Sequence, residues 1–227
     1  IGTEELPPKA LRSLMEAFGE ALATGLDEAR LAHGDVVPWA SPRRLAVMVE
    51  KLAAAQQDRS VEQKGPPVRI AFDDDGKPTP AADAFAKKCG VSVDQLERVA
   101  TDKGEWLVFN TVETGRSAAE LVPEVLERAL AGLPSPRRMR WGANEAEFVR
   151  PVHWVVLLHG KNVIDATIMG VESGRETQGH RFHSSGPIAI DTPGDYLAAL
   201  EKSGCVIADF ERRRDMVRAG VEAAAQQ

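Results

Sequence analysis

Arginine, histidine and tryptophan side chains are concentrated between residues 137 and 183, and these residue types are suited to binding an anion or stacking on a planar partner. The stretch holds seven of the 28 Lys and Arg residues of the chain against five acidic residues, with four of the five histidines and two of the four tryptophans. A guanidinium group binds phosphate or carboxylate through paired hydrogen bonds and stacks on aromatic rings. The stretch is therefore a candidate binding surface with a local surplus of positive charge.

The histidines of this stretch suggest a second chemistry. His180 and His183 are three residues apart, and together with His153 they are candidates for a metal site or a hydrolytic centre. No carboxylate pattern that would orient such ligands is evident, so hydrogen-bonded structural histidines are the alternative interpretation. The sequence contains no Gly-x-x-x-x-Gly-Lys-Ser/Thr loop, no His-Glu-x-x-His and no Gly-x-Ser-x-Gly motif. We predict no catalytic residue and no metal site in this chain.

Composition limits the classes of protein that remain. With 227 residues, 43% apolar and 27% charged, the chain is typical of a soluble globular protein of one large or two small domains. No apolar run approaches the ~20 residues of a membrane helix, so we predict no membrane partner. Two cysteines without metal-ligand spacing suit the reducing cytoplasm. The net charge of −6 argues against an indiscriminate nucleic-acid binder, so we predict no DNA partner and only local contacts with RNA.

The N-terminal part predicts a helix and an interrupted strand-like run. Apolar residues repeat at helical spacing from Leu11 to Leu26, which predicts an amphipathic helix packed on a sheet. The run 36–49 is strand-like and is interrupted at 41–44, where Arg43 and Arg44 are presented together. Alternatively, these two arginines form a solvated edge or pair with Glu4 and Glu5, because exposed ion pairs are common and weak.

The middle of the chain reads as a candidate inserted subdomain spanning 60–133. Turn-forming residues flank a short predicted strand at 68–72, and a helix is predicted from a Thr79 cap to Gly90. A strand is predicted at 105–109, and the capping box at Ser117 predicts a further helix. A predicted hairpin then joins 152–159 to 163–171 through Gly160-Lys161-Asn162. These elements predict an α+β fold with mixed or antiparallel sheets and packed helices.

Linked motifs in order along the chain resemble the β subunit of bacterial glycyl-tRNA synthetase. They cover essentially all 227 residues, and the motifs are Ile1-Gly2-Thr3-Glu4-Glu5-Leu6-Pro7, Pro42-Arg43-Arg44-Leu45, Lys64-Gly65-Pro66, Gly76-Lys77-Pro78, Lys103-Gly104-Glu105-Trp106, Met139-Arg140-Trp141-Gly142, Phe148-Val149-Arg150-Pro151-Val152-His153, Gly179-His180-Arg181-Phe182 and Val206-Ile207-Ala208-Asp209. Within them, Ser41 precedes Pro42 where Thr or Ala looks commoner. The resemblance implies that 1–227 is the N-terminal α+β region of a longer subunit, with a helix within 205–227 leading into the next domain. It also implies a fold similar to the B3/B4-type module of phenylalanyl-tRNA synthetase.

The same resemblance implies a function. In this family an α2β2 ligase joins glycine to its tRNA with ATP and Mg²⁺, which the α subunit binds, while the β subunit positions tRNA-Gly and completes the assembly. The chain itself is then expected to be non-catalytic, without a cofactor of its own, and cytoplasmic. Two alternatives remain open: a pure assembly scaffold without RNA contact, and an editing-type hydrolase built on the three histidines, for which His180→Ala would abolish deacylation.

Twelve residues are the candidates for tRNA or subunit contacts. Arginines can hold phosphates and release counterions, and Trp141 or His180 can stack on an unpaired base for ~1–3 kcal/mol. The alternative for each arginine is a structural ion pair with an acid such as Glu145, Glu147, Glu172 or Glu176. The candidates are Arg43, Arg44, Lys64, Arg137, Arg138, Arg140, Trp141, Arg150, His153, Arg175, His180 and Arg181.

Overall fold

The computed structural model describes residues 1–73, 75–102, 104–135, 137–143 and 145–226. The chain divides into two compact units, the first formed by Ile1–Gln56 with Arg116–Gln227 and the second by Gln57–Gly115. The second unit and the subdomain expected at 60–133 share residues 60–115. The helix that follows belongs to the first unit, where it packs against the first helix of the chain. Gln227, the last residue of the predicted final helix, lies outside the described residues.

The described chain contains both strands and helices, with a run of successive strands between α4 and α5. The strands are β1 (Gly2–Thr3), β2 (Val36–Ser41), β3 (Arg44–Val49), β4 (Arg59–Pro67), β5 (Glu97–Thr101), β6 (Gly104–Glu113), β7 (Val152–Val156), β8 (Leu158–His159), β9 (Asn162–Val163), β10 (Thr167–Ile168), β11 (Val171–Gly174), β12 (Glu176–Gln178) and β13 (Pro187–Ala189). The helices are α1 (Leu11–Glu28), α2 (Val68–Ala71), α3 (Pro80–Cys89), α4 (Ala118–Ala131), α5 (Tyr196–Gly204) and α6 (Phe210–Ala225). The fold is α+β, as predicted. None of the described helices is long and apolar enough to cross a bilayer.

The first unit is built on a six-stranded sheet with the order β10-β11-β7-β1-β3-β2. Its neighbours are antiparallel except β7 and β11, which run parallel. Helix α1 packs on β2, β3 and α4, and the apolar stripe predicted for it is buried. Leu14, Leu45 and Leu130 have almost no exposed surface in this core. Because burying such side chains stabilises each by roughly 1.5–3 kcal/mol, α1 and α4 are fixed firmly on the sheet.

The strand-like run predicted at 36–49 forms β2 and β3, and its interruption at 41–44 is the turn of an antiparallel hairpin that is tied to the start of the chain. Ser41 pairs with Arg44, so Pro42 and Arg43 form the tip of the hairpin. The N–H of Thr3 donates to the Arg43 carbonyl at 2.8 Å, and the N–H of Leu6 donates to the Pro42 carbonyl at 2.7 Å. These bonds hold the segment after β1 beside the tip of the hairpin.

The long hairpin predicted over 152–171 is wrong in its extent. Only β8 and β9 pair in that way, with Leu158 opposite Val163 and His159 opposite Asn162. After β9 the chain turns away, β10 pairs with β11, and β11 returns parallel to β7. The side chain of Ile168 has no exposed surface, so burial of this apolar segment in the core outweighs continued local pairing.

The second unit is a three-stranded antiparallel sheet, β4-β6-β5, with α2 and α3 packed on it. The strand predicted at 68–72 is wrong, because Val68–Ala71 is a helical turn. Ala71 is buried with Phe85 and Leu107, and Thr79 donates hydrogen bonds to the carbonyls of Ile70 and Ala71. Packing and carbonyl satisfaction therefore outweigh the β-branched composition of the segment. The helix predicted between Thr79 and Gly90 is confirmed as α3, but the Thr79 side chain makes no capping hydrogen bond and donates to the Ile70 carbonyl instead.

Candidate anion-binding cleft

Two guanidinium groups and one imidazole converge on the carboxylate of Glu4. Nη2 of Arg43 lies 3.4 Å and Nε2 of His153 lies 3.1 Å from Oε1 of Glu4, while Nη2 of Arg181 lies 2.9 Å from Oε2. These residues, together with His180, line a cleft of about 730 Å³, which we call the Glu4 cleft. With two permanent guanidinium charges against one carboxylate, the cleft carries a net positive charge even when His153 is neutral.

Four separate segments place these side chains. Glu4 follows β1, and its N–H donates to the Pro151 carbonyl at 3.0 Å. Arg43 lies at the tip of the β2–β3 hairpin, His153 lies on β7, and Arg181 lies in the loop that joins β12 to β13. Because β1 pairs with both β3 and β7, the central strands of the sheet bring three of the four segments to one place.

The charges in the cleft alter the acidity of Glu4. Partial desolvation of the carboxylate raises its pKa, but the charges of Arg43 and Arg181 and the hydrogen bond with His153 lower it, and the net pKa lies below the ordinary value of 4.5. Glu4 is therefore ionised at neutral pH. Its side chain and those of Arg181 and His153 are 39–47% exposed, so water and ions reach the site and these ion pairs are individually weak.

Arg44 occupies a different environment, directly behind the cleft. Only 2% of it is exposed. Its Nη2 donates to the carbonyl of Gln178 at 2.7 Å, and the guanidinium lies 5.9 Å from the centre of the Trp154 ring. The Nε and Nη1 atoms of Arg44 have no hydrogen-bond partner among the described residues. Arg44 therefore fastens β12 to the sheet.

The indole of Trp154 completes this junction. Its Nε1 donates to Oγ1 of the buried Thr177 at 3.1 Å, and a Cβ added to Gly2 would overlap the indole ring. A glycine is therefore required where β1 passes Trp154. His153 and Trp154 are consecutive residues of β7, so their side chains point to opposite faces. His153 contacts Glu4 in the cleft, and the Trp154 indole packs against Gly2 of β1.

The loop between β12 and β13 forms one wall of the cleft. The N–H of His180 donates to the Gly204 carbonyl at 2.7 Å, and the ring centres of His180 and His183 are 4.5 Å apart. Phe182 in the same loop is 82% exposed. The sequence places Phe182 in one of the family motifs, but it was not among the predicted contact residues. The feature that could have indicated a role for it is its position between Arg181 and His183.

The arginines of 137–150 bond to their own surroundings. Nε of Arg140 lies 2.7 Å from Oε1 of Glu147, as in the structural alternative considered for it. Arg138 donates to the carbonyls of Ala131 and Leu133, at the end of α4. Arg150 donates to the carbonyls of Glu5 and Val149.

The remaining candidates are spread over the molecule. Arg175 donates to the Lys161 carbonyl at 3.0 Å, Arg137 is exposed, and Trp141 is half-buried against the main core. In the second unit, Nζ of Lys64 lies 4.4 Å from the centre of the Trp106 ring. Of the twelve candidates, the cleft brings together Arg43, His153, His180 and Arg181.

A metal site was predicted to be absent. Within the described ranges, no group of three or more His, Cys, Asp or Glu side chains is arranged to hold a metal ion. His153 contacts Glu4, while His180 accepts a hydrogen bond from the N–H of Phe182 through Nδ1. These contacts give both rings roles in hydrogen bonding and in the shape of the cleft wall.

Comparison with known proteins gives one consistent result. The family model for the glycyl-tRNA synthetase β subunit matches residues 1–227. Curated glycine–tRNA ligase β subunits are similar along the whole chain, with 52% identity over 226 residues in Marinobacter nauticus, 50% over 227 in Hahella chejuensis and 52% over 227 in Citrobacter koseri. The chain spans 33% of the length of each of these relatives. Because the family model matches the whole chain and these relatives are at least 50% identical along it, the chain belongs to the glycyl-tRNA synthetase β-subunit family.

Proposed function

We propose that this chain is the part of a glycine–tRNA ligase β subunit that holds tRNA-Gly for aminoacylation on a partner α subunit, and that the Glu4 cleft contributes phosphate contacts. The observation that carries the proposal is the excess of cations around Glu4. Arg43 and Arg181 are both engaged by a single exposed carboxylate, so the site retains attraction for a further anion. Because the family is one of tRNA ligases, we expect this anion to be an RNA phosphate.

The overall charge of the chain agrees with a confined contact. At a net charge of −6, the chain lacks the broad positive field of a non-specific nucleic-acid binder. Local cationic clusters such as the Glu4 cleft then decide where RNA lies, and acidic surfaces elsewhere repel it. This arrangement supports positioning of one RNA in one orientation.

The proposal includes a role in assembly with the α subunit as an α2β2 enzyme. The support is helix α6, where Val217 and Val221, four residues apart on one face, and the neighbouring Met216 are 51–64% exposed. We assign ATP and Mg²⁺ to the α subunit, since this chain is proposed to hold RNA rather than to perform the chemistry. The similarity to the B3/B4-type module stays a prediction.

The test is charge reversal in the full-length β subunit purified with its α subunit. Arg181→Glu changes the cleft charge by two units, so tRNA-Gly affinity at low salt should fall about tenfold or more. The slope of log affinity against log salt should become shallower by about one, as expected for one lost phosphate contact. Arg128→Glu is the matched control, because Arg128 on α4 makes an exposed ion pair with Glu28.

Two outcomes would contradict the proposal. Affinity and salt slope equal to those of the wild type would remove Arg181 from the RNA contacts. Loss of α–β association at unchanged tRNA affinity would favour the pure assembly scaffold instead.

The editing-type hydrolase stays a prediction, and its test is whether His180→Ala abolishes a measurable deacylation rate.

A further inference from the structure

Phe182 is the most exposed of the large apolar side chains among the described residues, with 82% of its surface accessible. It lies in the loop between Gln178 and Pro187, whose backbones pair at the ends of β12 and β13. An aromatic ring in water is unfavourable by roughly 25 cal/mol for each Å² that a partner would cover. Such a ring at the edge of a charged cleft is a candidate contact for a planar partner.

The loop that carries Phe182 is anchored at several points. The N–H of Phe182 donates to Nδ1 of His180 at 3.2 Å, and the N–H of Ser184 donates to the His180 carbonyl at 3.1 Å. The Ser184 hydroxyl donates to the carbonyl of Ser203, in the last turn of α5, at 3.1 Å. A held loop loses little conformational entropy when it binds, which favours affinity.

Two glycines allow this anchoring. A Cβ on Gly179 would lie 2.6 Å from the Cα of Gly204 and would also overlap the Ser184 side chain. The loop therefore packs backbone against backbone on the end of α5. The same contact lets the N–H of His180 reach the Gly204 carbonyl at 2.7 Å.

Aromatic rings and cations alternate along the loop. The ring centres of His180 and Phe182 are 6.2 Å apart at an interplanar angle of 55°, and those of His180 and His183 are 4.5 Å apart. Arg181, between His180 and Phe182, extends to Glu4 at 2.9 Å. A stacking ring and a phosphate-binding guanidinium are thus supplied by consecutive residues, which is the combination that proteins use to hold unpaired nucleotides.

We infer that this loop and the Glu4 cleft bind an unpaired nucleotide of single-stranded RNA, with the base stacked on Phe182 and the adjoining phosphate held by Arg181 and Arg43. The inference rests on the proposed function and specifies its ligand. A base exposes its face to an aromatic side chain only when it has left the helical stack, so the site selects against duplex. An apolar protein surface would also cover Phe182, but it would not use the surplus guanidinium charge beside it.

The test uses the full-length β subunit with its α subunit and a short single-stranded oligoribonucleotide that carries 2-aminopurine, whose fluorescence falls on stacking. The same sequence as a duplex is the second probe. Phe182→Ala and Phe182→Leu should weaken single-strand binding between about fivefold and 150-fold, the range expected for one stacked base, and should abolish the quenching. Phe182→Trp should retain both, and duplex binding should change less than about twofold.

Val112→Ala is the matched control, since Val112 on β6 is also exposed, at 63%, and is expected to leave single-strand binding unchanged. Equal binding by wild type and Phe182→Ala would overturn the inference, as would equal losses for single strand and duplex. Reduced α–β association with normal oligonucleotide binding would identify the loop as a protein contact instead. These outcomes differ from failure of the proposed function, which is tested separately by the affinity of the Arg181→Glu variant for tRNA-Gly.

Discussion

The Glu4 cleft and the segment 137–150 contain the same residue types, but their charges are arranged differently. In the cleft, one carboxylate meets Arg43, His153 and Arg181. In the segment, Arg140 has its own carboxylate, Glu147, and Arg138 bonds to carbonyls at the end of α4. The difference teaches that surplus charge, and not arginine density, distinguishes a candidate binding site from a surface held by its own ion pairs.

The largest expected effect comes from breaking the junction that creates the cleft. In Gly2→Ala the new methyl group would overlap the Trp154 indole, so β1 must shift away from β7 and carry Glu4 with it. We expect the β subunit to lose about 3 kcal/mol of unfolding free energy, the upper end for overpacking, measured by urea denaturation. Gly174→Ala is the control, because a Cβ there meets nothing within 4 Å. Equal stability of the two variants would show that the junction tolerates displacement.

A matched pair of carboxylate neutralisations compares the two regions directly. Glu4→Gln neutralises the carboxylate that contacts Arg43, His153 and Arg181. The affinity for tRNA at low salt should therefore rise about fivefold, and the slope of log affinity against log salt should become steeper. Glu147→Gln releases only Arg140, in an exposed pair, and should change affinity less than about twofold. Equal responses, measured by filter binding across a salt series, would erase the distinction between the regions.

Arg138 tests whether the segment 137–150 is structural. Arg138→Ala removes hydrogen bonds to the Ala131 and Leu133 carbonyls and a cation near the negative end of the α4 dipole. The expected loss is about 1 kcal/mol of unfolding free energy, with tRNA affinity unchanged. Arg12→Ala, which breaks exposed pairs with Glu16 and Glu211, should lower the unfolding free energy less than Arg138→Ala. A fall in tRNA affinity without loss of stability would move Arg138 into the RNA contacts.

The smallest expected effect is a dependence of stability on acid pH. The folded pKa of Glu4 lies below its ordinary value of 4.5, so its ion pairs stabilise the fold fully above that value and lose this contribution as pH falls through the folded pKa. The difference in Tm between wild type and Glu4→Gln should therefore be larger at pH 6 than at pH 3. A difference that stays constant over this range would mean that the Glu4 charge contributes nothing to folding.

Much of the architecture was predictable from local patterns. The stripe from Leu11 to Leu26 and the capping box at Ser117 predicted α1 and α4, because helical spacing and capping are properties of neighbouring residues. The strand-like run over 36–49 was predicted with its interruption at 41–44, but its pairing as the β2–β3 hairpin comes from the structure. The predictions failed at Val68–Ala71 and in the long hairpin over 152–171, where burial in a distant core outweighed local preference.

Residue order alone established the α+β class and the family, since both depend on motifs and periodicities that are contiguous in the chain. The membership of the cleft depended on the tertiary structure. Glu4 is separated from Arg43 by 39 residues, from His153 by 149 and from Arg181 by 177. At such separations no local spacing predicts which arginine meets which acid. The pairing of β1 with β3 and β7 decides it for Arg43 and His153, and the loop between β12 and β13 places Arg181. Together these tertiary contacts determine which positive charges are in excess.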